Sequence, residues 1–224
     1  YSPDSLFFGH PPMAMGLEAI LFKIFGNGFY IEKIYSLLMA ILTAYSIYLC
    51  WSIFKPKKEA WLPILLWIIV PVTHWSYQNN MLENTMTPMS LLSVYFILKS
   101  FREKHIINLF AASIFIVMAF LSKGVVALFP IAVPFIYLLI MGKKYLIRSI
   151  KITTFLLSFS FIIMMLIFFI FPESKYFLQE YFNIQVLGSL QEKNDITTEN
   201  RFSILWFLFT NLIPVFILMT GCLF

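Results

Sequence analysis

The chain has 224 residues, of which 60% are hydrophobic and only 12% charged, and its mean hydropathy is +0.85. Soluble domains of this length do not reach such values, so the composition excludes a water-soluble protein and indicates an integral membrane protein. The net charge of +5 does not indicate nucleic-acid binding, because membrane topology and anionic lipid headgroups account for the basic residues.

Seven apolar stretches follow one another along the chain, each near the length that about 30 Å of hydrocarbon requires. The predicted spans are 34–54, 61–75, 84–98, 106–121, 125–141, 152–171 and 203–224. Several are shorter than about 20 residues, so 61–75, 84–98 and the pair within 106–141 have tilted, partly re-entrant or shielded segments as alternatives. The sequence therefore predicts an all-α, polytopic membrane fold with about seven transmembrane helices.

The loops between the spans include two amphipathic segments that predict interfacial helices. In the first outer loop, 1–33, an apolar run from Met13 to Phe25 lies between two prolines and a glycine, which are typical helix boundaries. In the large outer loop, 172–202, aromatic and aliphatic residues recur every three to five positions. Amphipathic packing elements with no role in a site are the alternative for both.

The charges divide between the two sets of loops. Ten of the sixteen basic residues lie in loops of one set: Lys55, Lys57, Lys58, Lys99, Arg102, Lys104, Lys143, Lys144, Arg148 and Lys151. By the positive-inside rule this side is cytoplasmic. The other side carries nine of the eleven acidic residues, so any carboxylate chemistry is expected outside.

The whole of 1–224 is expected to form one membrane domain that is truncated at both ends, since it begins within a polar loop and ends within a span. Cys50 and Cys222 both fall in apolar stretches, which favours packing over a disulfide or a metal pair.

Four polar sites stand out on the outer side. They are His10 in GHPP, Glu83 and Asn84 in NNMLENT, Lys123 in LSKG and Arg201 in ENRF. Each has a plain alternative. His10 is a solvated loop histidine, Lys123 and Arg201 anchor their helices at lipid phosphates, and Asn79, Asn80 or Asn84 caps the following helix while Glu83 favours its positive end.

Taken in order, these segments resemble the membrane domain of GT-C type glycosyltransferases that use dolichyl- or polyprenyl-phosphate sugars. The family includes the bacterial aminoarabinose transferases and the protein O-mannosyltransferases. The resemblance rests on GHPPMAMGLEAILFKIFG, YIEKIYSLLMAILTAYSIYL, NNMLENTMTPMSLLSVYFIL, FLSKGVVALFPIAVPFIYLL and NRFSILWFLFTNLIPVF, and it covers nearly the whole chain.

The resemblance implies transfer of a sugar from a polyprenyl-phosphate donor to a lipid, protein or glycan acceptor, on the outer face of the plasma (inner) membrane. Catalysis of this kind requires a carboxylate on one side of the breaking bond and cations at the leaving phosphate. The implied candidates are Glu83 or Asn84 for the first role, and His10, Lys33, Lys123 and Arg201 for the second.

The chain departs from the family pattern at three points. The acidic pair of the family would lie upstream of Tyr1, so this segment alone is expected to be inactive. His10 stands where the aminoarabinose enzymes tend to have a lysine, and Glu83-Asn84 replaces a Thr-Asp pair, which moves the carboxylate by one residue, about 100° around a helix.

Two other classes of protein compete with the transferase. A transporter or flippase of lipid-linked phosphates would place ionisable groups near the bilayer midplane, where this chain has few. A non-catalytic membrane scaffold is the second alternative. No cofactor is predicted and no metal site is assigned, because Glu83, Asp195 and His10 are too scattered in sequence, and dependence on a divalent metal is left open.

Overall fold

The computed structural model describes residues 10–103, 105–188 and 202–221, and within these ranges the regular structure is helical throughout. The predicted all-α fold is confirmed. The α-helices of the described ranges are α1 (Met13–Phe25), α2 (Phe29–Phe54), α3 (Trp61–Ile69), α4 (Pro71–Gln78), α5 (Glu83–Glu103), α6 (Ile106–Lys123), α7 (Val133–Met141), α8 (Leu146–Ile170), α9 (Glu173–Tyr181) and α10 (Phe202–Gly221). Short 3₁₀ helices cover Lys57–Glu59, Val125–Ala132 and Lys143–Tyr145, and a π-helix covers Phe182–Leu187.

An antiparallel hairpin of α5 and α6 forms the centre of the fold, with α2 packed against α5 and α8 against α6. Small side chains are buried along both central helices: Ser90, Ser93, Ala112, Ser113 and Ala119. Small residues let helix backbones approach closely, which is how helices associate where no hydrophobic effect drives them together. Larger apolar side chains, including Ile97, Ile116 and Leu156, fill the space between α5, α6 and α8.

Among the residues that the structure describes, three helical segments are long and apolar enough to cross a membrane, namely Phe29–Phe54, Ile106–Lys123 and Lys143–Ile170. The last of these exposes large apolar side chains along its length, among them Phe161 and Phe169. Such a surface is stable only against lipid. The chain is therefore a multi-pass membrane protein.

The predicted span 61–75 is broken, since α3 and α4 meet at an angle of 72°. Val70 at the break has extended backbone angles, φ −64° and ψ 119°, and Pro71 begins α4. A residue before proline is disfavoured in the α conformation, which explains the position of the break. Because the segment bends sharply at this point, the pair is either one broken span or a re-entrant loop, and the number of seven spans stays a prediction.

The predicted span 125–141 also departs from a single α-helix. It begins as a 3₁₀ helix over Val125–Ala132, which contains Pro130, and continues as α7. The predicted span 84–98 is part of α5, whose buried face carries Asn84, Thr85 and several serines in addition to apolar residues. Polar residues in these helices face the protein interior, as membrane helices require.

The two sets of loops lie at opposite ends of the helices. At the basic end, Arg148 Nη2 donates a hydrogen bond of 2.5 Å to the carbonyl oxygen of Ser100, and the Arg102 guanidinium lies 5.9 Å from the Phe54 ring centroid. At the other end, Lys33 Nζ donates to the carbonyl oxygen of Gln78 at 2.6 Å. The amino-terminal end of α5 meets the carboxyl-terminal end of α6 there, and the candidate site is built at this junction.

Candidate active site

Glu83 and Lys123 form an ion pair at the non-basic end of the fold. Glu83 is the first residue of α5 and Lys123 the last residue of α6, so the antiparallel hairpin brings together two residues that are far apart in sequence. The helix dipoles favour this arrangement, since a carboxylate stands at an N-terminus and an ammonium group at a C-terminus. The two side chains keep 39% and 22% of their surface accessible, so the pair can be reached by a substrate.

A cavity of about 210 Å³ opens beside Glu83, under the broken helix pair. It is lined by Trp67, Val72, Thr73, Trp75, Ser76, Tyr77, Glu83, Asn84 and Thr87. The break at Val70 creates this space, because α4 turns away from α3 and returns towards the start of α5. A cavity lined by aromatic side chains and a few polar groups, here including a carboxylate, is typical of small-molecule binding sites.

Asn84, the alternative to Glu83, is buried, and both ends of its amide form hydrogen bonds to Ser76. Its Oδ1 accepts from Ser76 Oγ at 2.5 Å, and its Nδ2 donates to the Ser76 carbonyl oxygen at 2.9 Å. The residue therefore joins the end of α4 to the start of α5. In the described structure Asn84 supports the cavity wall, while Glu83 faces the space.

The capping alternative for the asparagines finds no support in the side-chain hydrogen bonds of the described residues. Asn79 Nδ2 donates to the Trp75 carbonyl oxygen at 2.7 Å, at the C-terminal end of α4. Asn80 Nδ2 donates to Glu18 at 2.5 Å, and its Oδ1 accepts from Ser36 at 2.9 Å. These side chains tie α1, α2 and α4 together instead of capping α5.

His10 lies close enough to Lys123 for the two charges to interact. Burial lowers the pKa of His10 from its ordinary value, and the positive charge of Lys123 lowers it further. The imidazole is therefore neutral near pH 7. Pro12 is the residue immediately before α1, so His10 lies in the loop at the start of that helix.

The two remaining predicted cations are Lys33 and Arg201. Lys33 lies at the same end of the molecule, with its Nζ on the Gln78 carbonyl oxygen and 5.3 Å from the Phe29 ring centroid. The contacts of the described residues do not join it to Glu83 or Lys123. Arg201 lies outside the described residues.

A polar cluster between α1, α2 and the turn before α5 was not predicted as a unit. Glu18 accepts the bond from Asn80, and burial raises the pKa of Glu18 above its ordinary value against the opposing effect of that bond. Beside it, the hydroxyls of Tyr35 and Thr85 share a hydrogen bond of 2.6 Å. In the sequence, the position of Glu18 on the polar side of α1 indicates a polar contact. Its partner, Asn80, lies on a distant turn and cannot be predicted from the local pattern.

Tyr181, at the end of α9, covers the turn that follows Lys123. Its hydroxyl occupies the place where a side chain at residue 124 would stand, and Gly124 has a φ of +82°. Glycine is required there both for the backbone conformation and for the contact. The predicted helix in the loop 172–202 therefore packs on the site through a buried tyrosine.

Within the ranges that the structure describes, no group of three metal-binding side chains comes together. The candidate site consists of the Glu83 carboxylate, which lines a small cavity, together with the ammonium group of Lys123 and the imidazole of His10.

The comparisons with known proteins agree with this architecture. The sequence model of the dolichyl-phosphate-mannose-protein mannosyltransferases matches residues 9–169, which includes His10, Glu83 and Lys123. A match over most of the chain places the protein in that family: it belongs to the dolichyl-phosphate-mannose-protein mannosyltransferases. No curated protein matches the chain at a significant level.

Two solved structures share the fold, and both are of ArnT from Cupriavidus metallidurans. The structure bound to undecaprenyl phosphate superposes with a TM-score of 0.62 at 18% identity, and the apo structure with 0.61 at 19%. Each alignment covers 81% of this chain but only 35% and 38% of ArnT, respectively. The chain thus spans little more than a third of the length of these relatives.

Proposed function

We propose that the protein is a membrane glycosyltransferase that moves a sugar from a polyprenyl-phosphate donor to a lipid, protein or glycan acceptor. Family membership supports the class of reaction, and the fold shared with a protein that was solved bound to undecaprenyl phosphate supports the class of donor. The single observation that carries the proposal is the accessible Glu83–Lys123 pair, in which Glu83 lines the cavity and Lys123 lies within charge–charge range of His10.

The chemistry of the transfer requires this pairing of charges. When the bond between the sugar and the phosphate breaks, positive charge develops at the sugar and negative charge at the phosphate. Lys123 stabilises the departing phosphate, while Glu83 acts on the sugar side, either by electrostatic stabilisation or by accepting a proton from the acceptor. In the absence of substrate, each group neutralises the other.

The remaining candidates take supporting roles. His10 donates an N–H to the phosphate and adds a positive charge when it is protonated. Lys33 supplies a further cation at the same end, Arg201 is a further candidate from the sequence alone, and Asn84 holds Ser76 and the cavity wall in place. A second cavity of about 280 Å³, with a mostly apolar lining, shares Trp67, Thr73 and Tyr77 with the first and provides a place for the start of the prenyl chain.

The reaction face is the outer side of the plasma membrane. The site lies at the end of the helices opposite to the basic loops, and the positive-inside rule assigns those loops to the cytoplasm. A lipid-linked donor reaches such a site from the outer leaflet.

The experiment that tests the proposal is a transfer assay on the complete protein in lipid vesicles. A panel of radiolabelled polyprenyl-phosphate sugars is supplied, and the label is followed into lipid, protein and glycan fractions. Appearance of label in one fraction establishes transfer and identifies the donor and the class of acceptor. Donor binding by a folded protein without transfer from any donor would contradict the proposal and favour a carrier of lipid phosphates or a scaffold.

A further inference from the structure

A third cavity, separate from the two described above, lies at the basic end of the helices, away from the candidate active site. It has a volume of about 500 Å³ and is open to the surface. Its lining comes from the end of α5, the start of α6 and the start of α8: Ser100, His105, Ile106, Leu109, Lys144, Ile147, Arg148, Lys151, Ile152 and Phe155. Since α6 has 18 residues, the cavity is about 27 Å from Lys123, close to the thickness of the hydrocarbon core.

Three permanent cations and a histidine converge on this cavity. Arg148 is held in place by the bond to the Ser100 carbonyl oxygen and by the Phe101 ring, whose centroid is 5.6 Å away. That bond uses one of the five N–H donors of the guanidinium, and the group retains others for a ligand. Lys144 lies 5.2 Å from the Tyr145 ring centroid, while Lys151 and His105 are exposed.

No carboxylate neutralises these cations among the described residues. The lining contains no acidic residue. The acid nearest in sequence, Glu103, is engaged by Lys99 at 3.5 Å, and the other ion pair of the described ranges is Glu83–Lys123 at the opposite end. Concentrated positive charge without a protein partner raises the local concentration of anions.

The deeper lining of the cavity is apolar. Leu109 lies about one turn beyond His105 along α6, and Phe155 lies about one turn beyond Lys151 along α8, in the direction of the membrane core. Both helices begin at this cavity, so their positive dipole ends add to the charge at its mouth. A ligand that fits has a phosphate at one end and hydrocarbon at the other.

We infer that this cavity binds the phosphate of an anionic membrane phospholipid, with Arg148, Lys144 and Lys151 on the phosphate and the first part of an acyl chain against Leu109 and Phe155. Arginine forms paired hydrogen bonds to phosphate oxygens, and lysine supplies a mobile point charge. Basic pockets between transmembrane helices are suited to such headgroups. The site is independent of the sugar transfer proposed above, because it lies at the other end of the helices.

The test measures lipid retention by the complete protein purified in detergent. Native mass spectrometry follows the binding of phosphatidylglycerol, of phosphatidylcholine with the same acyl chains, and of inorganic phosphate. The variant Lys144→Gln/Lys151→Gln removes two exposed cations, keeps polar side chains at both positions and leaves the Arg148–Ser100 bond in place. The matched control Lys57→Gln/Lys58→Gln removes two lysines from the same end of the molecule but outside the cavity.

We expect wild type and control to retain phosphatidylglycerol in preference to phosphatidylcholine, and the cavity variant to lose on the order of tenfold in affinity. Melting temperatures in phosphatidylcholine alone show whether both variants are folded. Equal losses in the cavity variant and the control would overturn the inference, because they would indicate a diffuse attraction to charge. Binding of inorganic phosphate as tight as that of the lipid would overturn the assignment to a phospholipid.

Discussion

At the scale of single residues, Lys123 combines two properties that a mere anchor does not need. It is mostly buried and is paired with a specific carboxylate, although a lysine at the end of a membrane helix can reach water or lipid phosphate without a protein partner. Holding an ammonium group away from water is useful where an anion has to bind during a reaction.

Replacement of Lys123 by Gln should therefore raise the KM for the lipid-linked donor by at least about tenfold, because the phosphate loses its main cation. Steady-state kinetics of the complete enzyme at varied donor concentration measure this change. Lys23→Gln is the control, since Lys23 is an exposed lysine in α1 at the same end of the molecule. An unchanged donor KM in Lys123→Gln would indicate that Lys123 is only a membrane anchor.

His10 gives the site a dependence on pH. Because burial and the charge of Lys123 lower the pKa of His10 below its ordinary value, the imidazole gains its charge only at acidic pH. The phosphodiester of the donor remains ionised throughout this range, so protonation of His10 adds an attraction. We expect the donor KM of wild type to fall relative to that of His10→Gln as the pH is lowered from 7.5 to 5.5. Parallel pH profiles for the two proteins would show that His10 does not contact the phosphate.

At the scale of secondary-structure elements, the turn between α6 and the following 3₁₀ helix depends on one glycine. Gly124 has φ +82° and ψ −146°, a conformation that strains any other residue by about 1–3 kcal/mol, and Tyr181 fills the space beside it. The turn sets the position of Lys123, so the contact links α9 to the site.

Gly124→Ala should lower the melting temperature of the protein in detergent more than Gly142→Ala does. Gly142 has a similar φ of +88° with nothing within 4 Å, so its variant measures the backbone strain alone. The difference between the two variants reports the contact with Tyr181. Gly16→Ala, in α1 with open space around it, should be neutral or stabilising. Equal losses at residues 124 and 142 would show that α9 does not pack on the turn in solution.

The boundaries of some elements follow from local chemistry and those of others do not. The prolines before Met13 and Gly26 after Phe25 predict α1 correctly, because they act on their own neighbours. The break at Val70 is also a local effect of Pro71, yet hydropathy alone joins both sides into one span. The contact of Tyr181 with Gly124 joins residues far apart in sequence, so no local pattern reveals it.

At the scale of the whole molecule, loops that differ in charge along the sequence lie at opposite ends of the folded protein. The order and orientation of the helices place the loops rich in Lys and Arg at one end and Glu83, Lys123 and His10 at the other. The sequence identifies these site residues as candidates through polar positions next to apolar spans, but it cannot pair them. Their pairing depends on the antiparallel packing of α5 against α6, and the commitment of Asn84 to Ser76 depends on the return of α4.

The topology itself can be tested by labelling. In a protein whose native cysteines, Cys50 and Cys222 among them, are replaced by serine, a single cysteine is introduced by Glu173→Cys or by Lys57→Cys, both at exposed positions. A membrane-impermeant maleimide applied to intact cells should label the first variant, and the second only after permeabilisation. Labelling of both from the same side would contradict the assignment of the two ends to opposite faces of the membrane.

The central claim is that Glu83 and Lys123 act as one unit on the lipid-linked sugar, and a double-mutant cycle on kcat/KM tests it most directly. The complete enzyme is compared with Glu83→Gln, Lys123→Gln and the double variant, at equal folded concentration. We predict that each single change lowers kcat/KM by at least about a hundredfold and that the double change costs little more, because removal of either partner disables the pair. Fully additive losses, or turnover unchanged in Glu83→Gln, would contradict the account.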